Sequence, residues 1–486
     1  MHLIEALILI LSSFALLIFP ESRIVFQMAI FGGTVIAIHI FYRLMKYPNL
    51  VRFGNIACFS MLFGYVVSTA GYTVINLVFY GEVSYTQNVF GLKYFQSDVS
   101  HGLLIVIATS ILLSAISHFE RPLFLAYFMR IGLTMRSLWV IGVSSAIIVI
   151  GIINGDIGYM GIYSESGQRL SPLGALCYIL VPPLTTITMA FLFEPSIQPR
   201  KFKKFILPVC AVLVIALIPL GRRVLMYTLM LFLILLGPNA FKGFLKSRNK
   251  TFHFIVILLS TSIILIWGFR AFYAMRITVN NMAVKEKPPI MEIVPYFVDM
   301  LQDSYALAEV HEKLIDNISE RPFVLSYLAG LIAAQQKKDT PLFGELRHAI
   351  VMAIPSVLYP KKNTETAPAS EEFIHQSLGL PVFDGPNTIV TAGLNDLGLM
   401  GIVIYPVGVV CTYSLLCRVI MTNCPPFLFL FIVSRLMYSL LFLEESFGAL
   451  VGSGLRDLFI VALFYWILLK APSRDFAFGR IRKLYE

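Results

Sequence analysis

The chain has 486 residues, of which 57% are hydrophobic and only 14% are charged, and its formal net charge is +10. Soluble globular domains carry roughly 25% charged residues, so this composition excludes a string of soluble domains and indicates that much of the surface faces lipid. Because lysine and arginine are retained on the cytoplasmic side of membrane proteins, the positive charge reports orientation and does not indicate nucleic-acid binding.

Apolar stretches along the chain predict about twelve membrane-spanning helices. The first stretch has no basic region before it and no small-residue cleavage site, so we interpret it as a span and not as a signal peptide. The spans are predicted at residues 2–19, 24–43, 55–79, 100–117, 137–154, 172–194, 205–220, 223–237, 253–273, 392–417, 425–443 and 455–470.

The positions of lysine and arginine predict the orientation of the chain. Basic residues are concentrated in alternate loops and in the C-terminal tail, which predicts that both termini are cytoplasmic. The chain then consists of an N-terminal bundle of about nine spans, a long external interval, about three C-terminal spans and a basic cytoplasmic tail. These four parts are residues 1–275, 276–391, 392–470 and 471–486.

The interval 276–391 is the only long polar interval in the sequence. Its apolar runs are too short to cross a bilayer, which takes roughly 20 residues, and it is too apolar to be a disordered linker. Apolar spacing predicts one helix over 290–318 and a second over 323–334 that lies in the membrane interface. The predicted fold is therefore an all-α polytopic membrane protein with a large helical external loop, a cap that covers the functional site.

Several arginines stand where a membrane protein seldom places a charge. Arg435 lies near the middle of a predicted span, where an arginine costs roughly 2.5–3.5 kcal/mol on insertion scales. It either anchors an anionic ligand at a cavity or takes part in a structural ion pair or in hydrogen bonds to carbonyl groups. Arg222 and Arg223 follow Gly221 at a helix start on the external side, where they either bind phosphate or snorkel to the interface.

Four more arginines are predicted near the same external face. Taken singly, each is more often a solvated or interfacial charge, but together they gather guanidinium groups with few acids to match. They are Arg270, Arg276, Arg347 and Arg456. This pattern favours a diphosphate site over a metal site, for which clustered carboxylates would be needed. The six cysteines show neither disulfide spacing nor zinc-ligand spacing, so we expect no metal and no other cofactor.

Few residues are candidates for acid–base chemistry. Glu444 and Glu445 are adjacent, so on a helix they point about 100° apart and do not form a pair. His348, His375 and Asp384 are the other candidates, although a histidine in the position of His348 is more often a packing residue than a base. Motifs for serine hydrolases, nucleotide-binding loops and metalloproteases are not found in the sequence.

The layout resembles the bacterial oligosaccharide repeat-unit polymerases, which assemble O-antigen and enterobacterial common antigen. Four features of the sequence carry the resemblance: a short turn between spans that ends in arginine, a long external loop that ends in arginine and an Ile-Pro-Ser stretch, a glycine-containing span, and glutamate followed by arginine at the last span. They are found at 218–223 (IPLGRR), at 347 with 354–360 (IPSVLYP), at 393–398 (GLNDLG), and at 445 with 456.

The resemblance implies a glycosyltransferase of the polytopic, GT-C-like class that acts on the outer face of the inner membrane. Such a protein extends a glycan on undecaprenyl diphosphate and uses neither metal nor nucleotide. In this reading Arg223, Arg347 and Arg456 hold the diphosphates, and Glu445 activates the acceptor hydroxyl. The supporting residues would be Arg222, Arg270, Arg276, Arg435, His348 and Glu444. The implied partners are an undecaprenyl-diphosphate-linked oligosaccharide, membrane lipid, a chain-length regulator and a flippase.

Three alternatives remain open at the level of the sequence. An O-antigen ligase has a similar layout and a functional histidine, for which His348 and His375 are the candidates. A transporter or flippase of a lipid-linked sugar is the second alternative, although we find no inverted repeat of the kind that transporters often show. A structural scaffold is the third, and it would leave Arg435 without a purpose.

Overall fold

The structure is a computed structural model, and it describes most of the chain outside the middle. The described ranges are 3–81, 88–89, 92–123, 134–157, 172–193, 200–244, 324–335, 342–354, 359–361, 370–380, 385–442 and 447–469, with scattered residues between 274 and 310. Within these ranges the chain is helical, apart from one antiparallel hairpin of two-residue strands. The prediction of an all-helical fold is therefore confirmed for the described part of the chain.

The first half of the described chain contains nine α-helices and the hairpin. The helices are α1 (Leu3–Ile18), α2 (Arg23–Lys46), α3 (Phe53–Met61), α4 (Ser68–Tyr80), α5 (Gln96–Ile116), α6 (Met135–Ile153), α7 (Pro172–Phe193), α8 (Arg200–Leu220) and α9 (Arg222–Phe244). A π-helical segment, Leu62–Val67, joins α3 to α4. Strands β1 (Asn88–Val89) and β2 (Leu92–Lys93) form the hairpin, and 3₁₀ turns lie at Pro48–Leu50 and Ser117–Phe119.

The second half begins with three short helices that belong to the predicted cap. They are α10 (Val324–Gln335), α11 (Gly344–Ala353) and α12 (Ser370–Leu378). The chain continues with α13 (Ile389–Leu397), a 3₁₀ turn (Gly398–Met400), α14 (Gly401–Asn423) and α15 (Pro426–Leu441). It ends with α16 (Phe447–Ala449), a π-helical segment (Leu450–Leu455) and α17 (Arg456–Leu469).

Six helical stretches among the described residues are long and apolar enough to cross a membrane. They are Arg23–Lys46, Phe53–Val78, Gln96–Phe119, Met135–Ile153, Pro172–Leu192 and Ile389–Thr422, the last by length and composition alone because its helix is interrupted at Gly398. Five shorter apolar helices accompany them: Leu3–Ile18, Lys204–Leu217, Arg223–Leu235, Val324–Gln335 and Pro426–Leu441. The total of about twelve spans and the external position of the cap stay predictions, and the predicted span 253–273 lies outside the described residues.

The surface of the bundle is apolar where the surface of a soluble protein would be charged. Large side chains such as Ile24, Phe31 and Trp139 are each more than 70% exposed. Threonine and serine, by contrast, are buried between helices, where their hydroxyl groups donate to carbonyl oxygens one turn earlier, as Thr109 does to Ile105. This distribution suits an environment in which apolar groups can face outward and polar groups must be satisfied internally.

The prediction of one continuous span over 392–417 is wrong at its start. The helix breaks at Gly398, whose φ of +64° is a left-handed conformation that glycine adopts without strain. In an unbroken helix, Gly393 and Gly401 would lie about 12 Å apart. Instead their backbones touch, and a methyl group placed on Gly401 would lie 1.7 Å from the carbonyl oxygen of Gly393. The chain therefore folds back, and α13 packs against α14.

The apolar stretch predicted at 323–334 is a helix, α10, but it does not lie on the surface. Every residue from Val324 to Ile332 is buried, because α10 packs against α5, α13 and the hairpin. An interfacial helix would keep one polar face exposed. The stretch was predicted to be interfacial because its length is too short for a span, but the structure shows that it fills space inside the bundle.

The N-terminus of α13 is buried inside the bundle as well. Thr388 caps it by accepting the N–H groups of Val390 and Thr391 at 3.1 and 3.2 Å. The hydroxyl of Tyr65, in the π-helical segment Leu62–Val67, lies 2.9 Å from the Thr388 hydroxyl. A π-helical segment inside an α-helix is frequently found at functional sites, and here it meets the end of a short internal helix.

Substitution of Gly401 by alanine tests the contact between α13 and α14. We expect the added methyl group to destabilise the protein by ~1–3 kcal/mol, because it would overlap a carbonyl group that the backbone cannot easily move. The measurement is thermal unfolding of the purified protein in detergent. Gly71→Ala is the matched control, since nothing lies within 4 Å of the added methyl group at that position. Equal melting temperatures for the two variants would contradict the packing described here.

Candidate functional site

The short helix α11 is the element around which the predicted site residues assemble. It carries Arg347 and His348 and packs against α12, α13 and the segments Phe447–Ala449 and Leu450–Leu455. Its first turn is held by Asp396 of α13. One carboxylate oxygen of Asp396 accepts the N–H of Glu345 at 2.6 Å, and the other accepts the N–H of Leu346 at 2.9 Å. The first N–H groups of a helix lack partners within the helix, so this carboxylate satisfies two of them and complements the helix dipole.

Arg456 holds the opposite end of the same helix. Its Nη1 donates to the carbonyl oxygen of Ala353, the last residue of α11, at 3.4 Å. Its Nε donates to Asp457 at 2.6 Å. A cation at the C-terminal end of a helix is favourable for the same electrostatic reason that an anion is favourable at the N-terminal end. The structure thus brings Arg456 to the helix that carries Arg347, although the two are more than 100 residues apart in sequence.

The two predicted site residues on α11 point to different surroundings. Arg347 is exposed, as a ligand-binding guanidinium would have to be. His348 is buried, and its ring is stacked on Phe373 of α12 with centroids 5.0 Å apart. His348 therefore packs α11 against α12, in line with the packing interpretation of this histidine.

An open apolar groove runs beside α11. Its volume is about 310 Å³, and it lies between α11, α14 and the segment from Phe447 to Leu455. The lining is almost entirely hydrocarbon, and it includes Phe343, Leu346, Ile404, Tyr405, Gly408, Val409, Phe447, Leu450 and Val451. A groove of this composition suits a hydrocarbon chain, since polar ligands would lose their hydration there without gaining hydrogen bonds.

Arg435 lies elsewhere in the bundle. Its side chain is only 1% exposed, and its guanidinium carbon lies 5.8 Å from the ring of Tyr178 and 5.4 Å from the ring of Tyr438. Cation–π contacts of this kind help to compensate a buried charge. These ring contacts are with α7 and with its own helix, and Arg435 does not line the groove. Of the two sequence interpretations, the structure therefore gives more support to a structural cation than to a ligand anchor in this groove.

Arg223 is half-buried in the first turn of α9. This helix begins directly after Gly221, whose φ is +106°. One turn later, the Tyr227 ring contacts Phe442 with centroids 5.2 Å apart. Phe442 directly follows α15, so the start of α9 lies beside the end of that helix. The chain continues from Phe442 into residues 443–446. Glu444 and Glu445 belong to that stretch, which lies outside the described residues. Arg270, Arg276 and Asp384 also lie outside them, as does the side chain of Arg222.

Glu345 is a residue of this site that sequence analysis missed. Its side chain is fully buried, and neither carboxyl oxygen has a hydrogen-bond partner among the described residues. Burial raises the pKa of Glu345 to about 9, and the neighbouring Asp396 carboxylate adds to the shift. Along the sequence Asp396 is an isolated acid and Glu345 belongs to a polar interval. Because the two are 51 positions apart, the sequence carries no local signal of a carboxylate pair.

A second buried polar contact ties the cap segments together. The Tyr327 hydroxyl of α10 lies 2.9 Å from Nε2 of His375 in α12. Burial lowers the pKa of His375 to about 4, so the imidazole is neutral at neutral pH. A methyl group added to Gly385 would lie 2.7 Å from the Tyr327 ring, so the chain passes very close to this pair. The pair therefore joins α10, α12 and the approach to α13.

Comparison of the chain with protein-family models, with curated proteins and with solved structures gives no match. The function of the site is therefore inferred from the sequence and from the geometry described above.

Substitution of His375 by glutamine should make the protein less sensitive to acid. The folded protein keeps His375 neutral down to about pH 4, whereas the unfolded chain protonates it near its ordinary value of 6.5. Stability is therefore lost as the pH falls from about 6.5 to about 4, by at most ~1.4 kcal/mol per pH unit. Glutamine can keep the hydrogen bond to Tyr327 and does not titrate, so this part of the loss should vanish.

Thermal unfolding of the purified protein across this pH range measures the effect. The matched control is His101→Gln, which changes an exposed histidine. It should leave the acid sensitivity as in the unsubstituted protein. An unchanged pH dependence of the melting temperature in His375→Gln would show that His375 is not kept neutral by burial.

Proposed function

We propose that this protein is a membrane glycosyltransferase that polymerises oligosaccharide repeat units linked to undecaprenyl diphosphate. The observation that carries the proposal is the attachment of Arg456 to α11. Two arginines that the resemblance assigns to the diphosphate are tied to this helix of 10 residues: Arg347 lies on it, and Arg456 donates to its last residue, Ala353. This helix also forms one wall of the apolar groove.

The chemistry of a polyprenyl-diphosphate substrate matches this combination. Its head group is a multiply charged anion that planar guanidinium groups bind through paired hydrogen bonds. Its tail is a long hydrocarbon, for which the groove between α11 and α14 offers an apolar surface. Arg347 is the exposed member of the pair, and Arg456 contributes both charge and the position of α11.

In the proposed reaction, a hydroxyl oxygen of the acceptor sugar forms a bond to the anomeric carbon of the donor. The bond from that carbon to the diphosphate oxygen breaks, and the diphosphate leaves with the bonding electrons. Glu445, with Glu444 as the alternative, would take the hydroxyl proton. Arg223, Arg347 and Arg456 would stabilise the charge that develops on the leaving group, which is often the largest single contribution to catalysis.

The proposed setting is the outer face of the inner membrane, with the cap on the external side. The start of α9, where Arg223 lies, borders Phe442 at the end of α15. The start of a helix favours anions. Elsewhere α9 packs against α2, α7 and α15, so a role for Arg223 in the same site as Arg347 stays a prediction.

A second candidate is a transporter of an anionic lipid-linked sugar, because one observation favours it. The break at Gly398 and the buried N-terminus of α13 give the bundle a short, interrupted helix. Interrupted helices form the binding sites of many transporters. An O-antigen ligase is favoured less, since the two histidines that would serve it, His348 and His375, are both buried and in ring contact with neighbours.

Alanine substitutions of Arg347 and Arg223 test the proposal. We expect each to reduce glycan extension by a factor of ~10²–10³, which is typical when one group that stabilises developing charge is removed. The assay uses the purified protein in lipid vesicles with a lipid-linked repeat unit. Arg418→Ala is the matched control, because Arg418 is an exposed arginine at the opposite end of α14 and should keep full extension.

The product distinguishes the candidates. Long glycan that remains on undecaprenyl diphosphate supports a polymerase, glycan on lipid A core supports a ligase, and movement across the vesicle membrane without extension supports a transporter. Wild-type extension by both Arg347→Ala and Arg223→Ala would refute the arginine assignment.

A further inference from the structure

The first turn of α11 is fixed by several hydrogen bonds that centre on Asp396. Asp396 accepts hydrogen bonds from the N–H groups of Glu345 and Leu346 and from the hydroxyl of Tyr405 in α14. The residue before the helix, Phe343, has a φ of +58°, a left-handed conformation that costs a bulky side chain roughly 1–2 kcal/mol. A conformation of this kind persists only where its surroundings enforce it, and Asp396 supplies the enforcing contacts.

Glu345 lies at the centre of this arrangement without a hydrogen bond from its own side chain. Both of its carboxyl oxygens are buried and lack a partner within the described part of the chain. A buried polar group without a partner costs about 1–3 kcal/mol, and an ionised one costs more. A second negative charge beside Asp396 would add repulsion to this cost. The arrangement therefore requires that Glu345 stay neutral and so carry a proton.

We propose that Glu345 and Asp396 form a proton-dependent clasp that docks α11 onto α13 and thereby positions Arg347. The docking itself follows from the contacts of the clasp, whereas the consequence for Arg347 rests on the proposed function. Glu345 and Asp396 are positioning residues in this scheme, since neither lines the groove. Tyr405 belongs to both the clasp and the groove, because its hydroxyl donates to Asp396 and its side chain lines the groove.

Among the described residues, few charged and titratable groups surround the clasp. The neighbours of Glu345 are Asp396 on α13 and Tyr405 on α14. The segments Phe447–Ala449 and Leu450–Leu455 contain no titratable residue. On α12, His375 is engaged by Tyr327, and the side chains of Glu371 and Glu372 lie outside the described residues. On α11 itself, Arg347 is exposed and His348 is stacked on Phe373.

The direction of the pH effect follows from the burial of Glu345. The folded protein holds the proton up to about pH 9, whereas the unfolded chain loses it near the ordinary pKa of 4.5. The stabilisation that this proton gives is complete below the lower value and is lost as the pH rises through the upper one. Above about pH 9 the ionised Glu345 would repel Asp396, and α11 should detach from α13.

The experiment uses the full-length protein in detergent and needs no substrate. Hydrogen exchange of the peptide that covers α11 is compared between the unsubstituted protein and Glu345→Gln, which stays neutral at every pH. We expect equal protection at about pH 7 and at least tenfold faster exchange in the unsubstituted protein at about pH 10. Asp396→Asn should lose protection of this peptide at both pH values, because it removes the negative charge and one of the acceptor oxygens.

Infrared difference spectroscopy supplies an independent readout. The carbonyl band of a protonated carboxylic acid should be present at neutral pH in the unsubstituted protein and absent from Glu345→Gln. The matched control for exchange is Glu120→Gln, which changes another buried carboxyl group; it accepts the N–H of Gly54 in α3 at 3.0 Å and does not line the groove beside α11. It should leave the exchange of α11 unchanged.

The outcomes separate the clasp from the proposed function. If Glu345→Gln and the unsubstituted protein show the same pH dependence of α11 exchange, or if the acid band is missing at neutral pH, the clasp is refuted whatever the protein catalyses. If the exchange results agree with the clasp but glycan extension is not observed, the proposed function is refuted and the clasp stands. If both are observed, extension by the unsubstituted protein should fall above about pH 9 and that of Glu345→Gln should not.

Discussion

The contact between the Asp396 carboxylate and the first turn of α11 determines how the site is built. A helix of 10 residues is too short to be stable on its own in water, so its position must come from tertiary contacts. Here the two ends of the helix are bound by opposite charges, Asp396 at the start and Arg456 at the end. Both charges complement the helix dipole. The backbone that carries Arg347 is held in place as a consequence, as is the wall of the groove that α11 forms.

The same contact depends on a break elsewhere in the chain. Asp396 can reach α11 only because the chain folds back at Gly398 and lets α13 pack beside α14. This reversal brings the backbones of Gly393 and Gly401 into contact, which any side chain at these positions would prevent. Such a break leaves polar backbone groups inside an apolar bundle, and they must be satisfied by neighbours. Near the break, the Gln335 side chain donates to the carbonyl oxygen of Leu394, and at the start of α13 the Thr388 hydroxyl accepts two backbone N–H groups.

Buried polar pairs then decide how the cap segments are held. Tyr327 with His375 joins α10 to α12, and Glu345 with Asp396 joins α11 to α13. Each pair contains a group that must be neutral to remain buried, the imidazole in one case and the carboxylic acid in the other. The two pairs respond to pH in opposite directions, since the first is weakened by acid and the second by base. The helices α11 and α12 are therefore held most firmly between these limits.

The sequence by itself determined the helical class, the positions of most apolar helices and the unusual charges. Apolar runs of sufficient length form helices in lipid, and a single arginine such as Arg435 stands out because a charge within an apolar span is costly in lipid. Local sequence could not show that Glu345 meets Asp396, that Arg456 reaches Ala353, or that α10 is buried on all sides. Each of these depends on segments tens of residues apart. Only the tertiary structure brings such groups within hydrogen-bonding distance, because the energy of a buried charge or hydrogen bond is set by its neighbours in space and not by its neighbours along the chain.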